Sequence, residues 1–174
     1  MRRLGTIGAF AVGVVIVTIA ALAGHLLAGH SGKTPTPLAK PFSLAELGSP
    51  GRTVSLSAYA GRPLVINFFA STCPPCQRET PLLASFYRSE HGNALVVGID
   101  SADPSATALR WLHAKDVTYP VGLDSAASVT DAYGVTAIPQ TLFLNARHQI
   151  VRHVFGALTP AELRWWAVSL ASAR

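Results

Sequence analysis

The feature that most restricts this chain is a junction. Leu64–Ala70 (LVINFFA) is a compact apolar run of strand length, and Cys73-Pro74-Pro75-Cys76 follows it at the head of a helical pattern. The run suits a strand buried on both faces. Pro74 to about Glu90 reads as a helix, with apolar positions at Leu82, Leu83, Phe86 and Tyr87. Cys73 thus stands where a buried strand ends and a helix begins. Unpaired amides and the helix dipole favour negative charge there, so a thiolate is stabilised. Pro74 and Pro75 fit a first helical turn, where a missing N–H costs little. They also remove amide donors that could have solvated the thiolate. Cys76 sits one turn on, beneath Cys73 and within disulfide reach.

The chain has two cysteines in all. A structural disulfide framework needs more of them, more widely spaced. Two are a poor zinc site, because zinc takes four ligands. No CxxCH occurs, which excludes covalent c-type haem attachment. The alternatives are a pair of inert buried thiols or two ligands of an unrecognised metal site, and the strand-to-helix position favours redox chemistry over both. In that chemistry Cys73 attacks a disulfide, a mixed disulfide forms, and Cys76 resolves it.

The rest of the chain supplies the frame. A short extended lead-in covers Phe42–Leu56, with a turn at Ser49-Pro50-Gly51 and a strand at Thr53–Leu56. Ala94–Ile99 is a second buried strand. Asp103-Pro104 suits an N-cap and first-turn pair for a helix to about Lys115. Asp124-Ser125 opens a shorter helix to about Tyr133, closed by Gly134. Thr141–Leu144 and Gln149–Phe155 form a hairpin about Asn145–His148. Thr159-Pro160-Ala161-Glu162 is a capping box that starts a last helix to about Ala171. The order β-α-β-α-(α)-β-β-α implies an α/β domain, a mixed central sheet with helices on both faces.

Ahead of this domain, Leu4–Ala28 carries no Asp, Glu, Lys or Arg, and Arg2 and Arg3 precede it. A membrane-spanning helix needs about 20 apolar residues. The positive-inside bias keeps the N-terminus cytoplasmic and sends the rest across. A cleaved signal peptide is the competing reading, with Ala21-Leu22-Ala23 as its site. Both place the domain in a compartment that tolerates disulfides. The expected organisation is 1–29 anchor or signal, 30–40 linker (His30–Lys40 is rich in Gly, Pro, Thr and Lys), and 41–174 folded domain. The 49% hydrophobic content is raised by this segment. The net charge of +5 comes from scattered basic residues without interleaved aromatics. Nucleic acid is therefore not an expected partner. A solvated basic surface, or a mild preference for anionic lipid, accounts for the charge.

The stretch Val65–Pro81 (VINFFASTCPPCQRETP) resembles the active-site region of membrane-anchored thioredoxin-like proteins of the TlpA/ResA type. The likeness runs over about residues 42–171 and includes Val135–Gln140 (VTAIPQ) and Gly156–Leu163 (GALTPAEL). It implies a thioredoxin fold with a short N-terminal β extension. It also implies a cis bond before Pro139, facing the cysteines, in a loop where Ile138 and Pro139 pair with an extended substrate. Glu79 matches the family's acidic residue, on the helical face of Cys76. It either exchanges a proton with the resolving thiol or is a solvent-facing carboxylate. Asn67 stands where cytoplasmic thioredoxins carry a buried aspartate, so it is assigned a structural role within the sheet. Phe69 and Thr72 replace family tryptophans. Phe69 keeps an aromatic platform for substrate, and Thr72 leaves Cys73 less shielded.

The resemblance implies a reductase of exported thiols, on apocytochrome c or a copper-site protein, fed by a membrane thiol relay. No Rossmann glycine fingerprint is present, and no cofactor is expected beyond the Cys73–Cys76 disulfide. An oxidase or isomerase that installs disulfides is the alternative. A copper chaperone would want Met or His beside the thiols, and neither flanks them. A peroxidase would want a proline and a hydroxyl residue before the cysteine, where Ile66 and Ala70 stand. His91, His113, His148 and His153 share no ligand spacing, so no metal site is expected. Trp111, Trp165 and Trp166 read as packing residues. Nothing demands a dimer, so a monomer is expected.

Overall fold

A computed structural model describes residues 36–89 and 95–171. The elements run β1 (Ser43–Glu46), β2 (Thr53–Ser55), β3 (Leu64–Phe69), α1 (Pro74–Ser89), β4 (Leu95–Ser101), α2 (Ser105–Ala114), β5 (Val121–Asp124), α3 (Ser128–Ala132), β6 (Gln140–Leu144), β7 (Ile150–Phe155) and α4 (Pro160–Ala171). A 3-10 turn at Leu56–Tyr59 follows β2. The strands form one sheet in the order β2-β1-β5-β4-β3-β6-β7. β3, β4 and β5 are parallel. β6 pairs antiparallel with β3, β7 with β6, and β1 with β5. The parallel pairs require crossovers, which α1 and α2 supply.

β3 lies near the middle of the sheet, and all six of its residues are buried. Successive side chains point to opposite faces. Val65 and Phe69 join Cys76, Leu83, Val96, Phe143 and Trp166 in one core. Leu64, Ile66 and Phe68 join Val97, Ile99, Leu142 and Leu144 in the other. This is why the run reads as continuously apolar. The mixed sheet, the β6–β7 hairpin and the capping box are as expected. In the capping box the Thr159 amide donates to Glu162 Oε2 at 2.8 Å, and the Glu162 amide donates to Thr159 Oγ1 at 3.3 Å.

Several expectations need correcting. Val121–Asp124 is a strand that pairs with both β4 and β1, where the pattern predicts no strand. It is four residues long and contains Gly122, against which Leu44 packs so closely that an added Cβ would lie 2.9 Å from Leu44 Cβ. Asp124 ends this strand rather than opening a helix. Its carboxylate still reaches forward to accept the amides of Val129 and Thr130. Asp103 does not cap α2. The residue before that helix is Pro104, with no side-chain cap. Trp165 is 53% exposed, with the Arg152 guanidinium 5.2 Å above its ring, whereas Trp166 is buried and stacks on Phe143 at 4.3 Å. Residues 37–39, read as the end of the linker, pair with the hairpin through Ile150 N to Pro37 O and Ala39 N to His148 O, both 2.8 Å. The Leu4–Ala28 segment and His91 lie outside the described residues. No described helix is long and apolar enough to cross a membrane.

Candidate active site

Cys73 precedes α1 and Cys76 lies in its first turn, and the two are joined in a disulfide with Cα atoms 5.3 Å apart. Cys73 is half-buried and Cys76 is fully buried. A partner disulfide can therefore meet Cys73 first. The Cys76 amide points at Cys73 Sγ, 3.3 Å away. Residues 74 and 75 are prolines and have no amide to offer. On the other side, Cys73 Sγ lies 3.7 Å from the carbonyl oxygen of Ile138. The Ile138–Pro139 bond is cis, as the resemblance implies. The structure thus brings Cys73, Cys76 and Ile138-Pro139 together from α1 and the loop before β6. The Gly156 amide donates to the Pro139 carbonyl at 2.9 Å and ties this loop to the end of β7.

Glu79 is on the Cys76 side of α1, three residues on, and is 2% exposed. The solvent-facing alternative is therefore overturned. Its carboxylate accepts Asn67 Nδ2 at 2.8 Å and the Leu158 amide at 2.6 Å. Burial raises its pKa above 4.5, the two hydrogen bonds pull the other way, and the nearby Glu162 adds to the rise. Asn67 links this carboxylate to the sheet. Its Nδ2 also donates to Thr141 Oγ1 at 3.0 Å, which links β3, α1 and β6. Its Oδ1 is buried with no partner.

Phe69 is not a substrate platform. It is fully buried and packs on Trp111, ring centroids 5.6 Å apart. The cause is Gly98 on β4: a Cβ there would lie 2.9 Å from Phe69 Cε1. Gly98 in an otherwise apolar strand was the available signal that an aromatic ring turns inward here. Three further contacts, not marked by the sequence, hold the site. The Gln77 side chain donates to the Ser71 carbonyl at 2.7 Å, Thr80 Oγ1 donates to the Cys76 carbonyl at 2.8 Å, and the Ser71 amide donates to the Asp103 carboxylate. Only Thr80 is a short-range helical contact that spacing could have revealed.

A strand-turn-helix cysteine pair beside a proline loop on a mixed sheet defines a thiol–disulfide oxidoreductase of thioredoxin-like fold. The Redoxin family profile matches residues 33–161, and the chain belongs to that family. Within it, the chain is 27% identical over 156 residues to the thiol-disulfide oxidoreductase ResA of Bacillus subtilis, covering 87% of this chain and 86% of that protein. It is also 27% identical over 110 residues to ResA of Halalkalibacterium halodurans, covering 63% of this chain and 62% of that protein. The crystal structure of StoA from Bacillus subtilis shares the fold, with a TM-score of 0.64 at 24% identity, over 76% of this chain and 99% of that one. These likenesses agree with the TlpA/ResA type, and Cys73 and Cys76 are the redox pair.

Proposed function

We propose that this chain reduces disulfides in exported proteins, from the outer face of a membrane to which Leu4–Ala28 anchors it. The client class is a protein with a closely spaced cysteine pair, such as apocytochrome c or a copper-site protein. One observation carries the direction: Cys73 Sγ faces a single first-turn amide, that of Cys76, because positions 74 and 75 are prolines. A thioredoxin-like protein is a strong oxidant when its reduced form is stabilised. Here few donors stabilise a Cys73 thiolate. The reduced form is left comparatively high in energy, so it gives up electrons.

The Cys73 thiolate attacks one sulfur of the client disulfide; that S–S bond breaks and the other client sulfur leaves as a thiolate. Cys76 then gives its proton to Glu79 and attacks Cys73 Sγ. The Cys73–Cys76 disulfide forms, the second client sulfur departs as a thiolate, and the client has gained two electrons. The proton on Glu79 returns to Cys76 when a dithiol relay in the membrane reduces the pair. The client backbone lies along Ile138, since the Pro139 carbonyl is already engaged by Gly156.

The test is the redox state of Cys73 and Cys76 in cells, by acid quenching and alkylation with a mass tag. A mostly dithiol population supports the reductase. A mostly disulfide population, with the relay present, moves the assignment to an oxidase or isomerase.

A further inference from the structure

The turn that presents Cys73 is held from behind by a carboxylate far away in the sequence. The amide of Ser71, a buried residue, donates to Asp103 Oδ2, while the Ser71 carbonyl accepts Gln77 Nε2 at 2.7 Å. Ser71 is thereby gripped on both sides, two residues before Cys73. The Cys73 amide donates to the Ala70 carbonyl at 3.2 Å and completes the turn.

Asp103 reaches Ser71 through an unfavourable backbone. Ala102 has φ 64, a left-handed conformation that is unfavourable for a residue with a Cβ. The Ala102 amide is anchored on the Asp124 carbonyl at 3.2 Å. Asp103 also forgoes the cap of α2 that its position invites. Both choices cost stability locally, and both aim one carboxylate at the active-site turn. Such strain tends to be retained at functional sites.

A second carboxylate lies behind the first. Asp100 is fully buried at the end of β4, paired with Phe69 of β3, and neither of its oxygens meets hydrogen-bond geometry. Burial, and then the charge of Asp103 beside it, push its pKa up to about 8. At neutral pH Asp100 therefore holds a proton and adds no second charge beside Asp103.

We propose that Asp103 is a positioning residue for the Cys73 nucleophile: its grip on the Ser71 amide sets where the Cys73 sulfur stands relative to the Cys76 amide. This rests on the reading of Cys73 as the attacking sulfur, and not on the direction of electron flow. The atoms concerned are distinct from those that hold Glu79.

The test uses the reduced full chain and two readouts, the pH profile of Cys73 alkylation by iodoacetamide and the equilibrium constant with glutathione. Asp103→Ala is expected to change the alkylation rate at neutral pH and the glutathione constant by about tenfold each, since misplacing a reacting group is costly. Asp103→Asn keeps an acceptor for Ser71 and is expected to return both to within about twofold of the parent. Asp103→Glu, which keeps the acceptor but displaces it by one methylene, is expected to fall between and serves if the alanine variant does not fold. Parent values in Asp103→Ala or Asp103→Glu, or equal impairment in Asp103→Asn and Asp103→Ala, overturn the proposal. A parent chain in which Cys73 is not the cysteine alkylated overturns the nucleophile assignment instead, so the two failures are separable.

Discussion

The Glu79 carboxylate accepts the Leu158 amide at 2.6 Å and so fastens the second turn of α1 to the loop that leads into α4. The two residues are far apart in the chain, and the contact is buried at both ends. One carboxylate therefore does two jobs. It joins α1 to the α4 loop, and it stands on the Cys76 side of the helix as the proton acceptor proposed above.

Glu79→Ala leaves the Leu158 amide and one Asn67 amide proton without their acceptor, in a place water does not reach. The expected loss is about 2–4 kcal/mol, read from urea unfolding of the disulfide form. Glu79→Gln keeps an acceptor for Leu158 and loses less. Asn67 can adapt to it, because the amide can turn and offer Oδ1, which has no partner now.

The same pair of variants yields a pH test. Burial raises the Glu79 pKa above 4.5 in the folded protein. A raised carboxyl binds its proton more tightly folded than unfolded. Its stabilising contribution is fully present below the unfolded value and is lost as pH rises through the folded one. The stability difference between the parent and Glu79→Gln is therefore expected to move against the parent as pH rises through that window. Urea midpoints of both proteins across the window check it; a constant difference rules it out.

The exposure difference between the cysteines predicts an asymmetric trap. Cys76→Ser leaves Cys73 able to attack but removes the resolving thiol, so a client mixed disulfide accumulates. Cys73→Ser leaves a buried thiol and traps nothing. Non-reducing electrophoresis with a disulfide-bonded peptide distinguishes the two. Equal trapping by both variants contradicts the assigned roles.

Gly98 is expected to be intolerant of even a methyl group. A Cβ there would meet Phe69 Cε1 at 2.9 Å, Val121 Cγ2 at 3.1 Å and Tyr119 Cε2 at 3.2 Å. Gly98→Ala should cost about 1–3 kcal/mol through overpacking. Adding Phe69→Leu should recover part of that loss, because the smaller side chain vacates the ring position. Additive losses in a double-mutant cycle would show that the two sites do not share that space.

What the sequence made legible was what short-range chemistry determines. The buried run of β3, the cysteine turn, the hairpin and the Thr159–Glu162 box are each encoded within a few residues. Asp103 and Asp124 show the limit. An aspartate before a helical pattern reads as its cap, and Asp124 does satisfy α3 amides, but from the end of a strand four residues earlier. Asp103 spends its carboxylate on Ser71 instead. Phe69 likewise read as a platform beside the cysteines, since only the β3–β4 pairing shows that Gly98 has opened a slot for it. The grip of Glu79 on Leu158 could not be inferred from spacing, because helical periodicity gives the face of a residue and not its distant partner.

Asp124 supports the last prediction, with the opposite sign to Glu79. Its burial works against charge. The Thr130 amide and hydroxyl, the Val129 amide and the Ser128 hydroxyl outweigh that and hold its pKa below 3.8. The shortest of these bonds are the two to Thr130, at 2.8 Å each. Asp124→Ala should cost about 2–3 kcal/mol at neutral pH, because it strips the first turn of α3 of a charged acceptor. A lowered carboxyl gives stability that is complete above the unfolded value and is lost as pH falls through the folded one. The gap between the parent and Asp124→Ala should therefore be widest at neutral pH and should narrow toward pH values below 3.8. Thermal unfolding of both proteins over that range measures it. A gap that persists unchanged in acid would mean that α3 is held by packing of Val129 and not by the carboxylate.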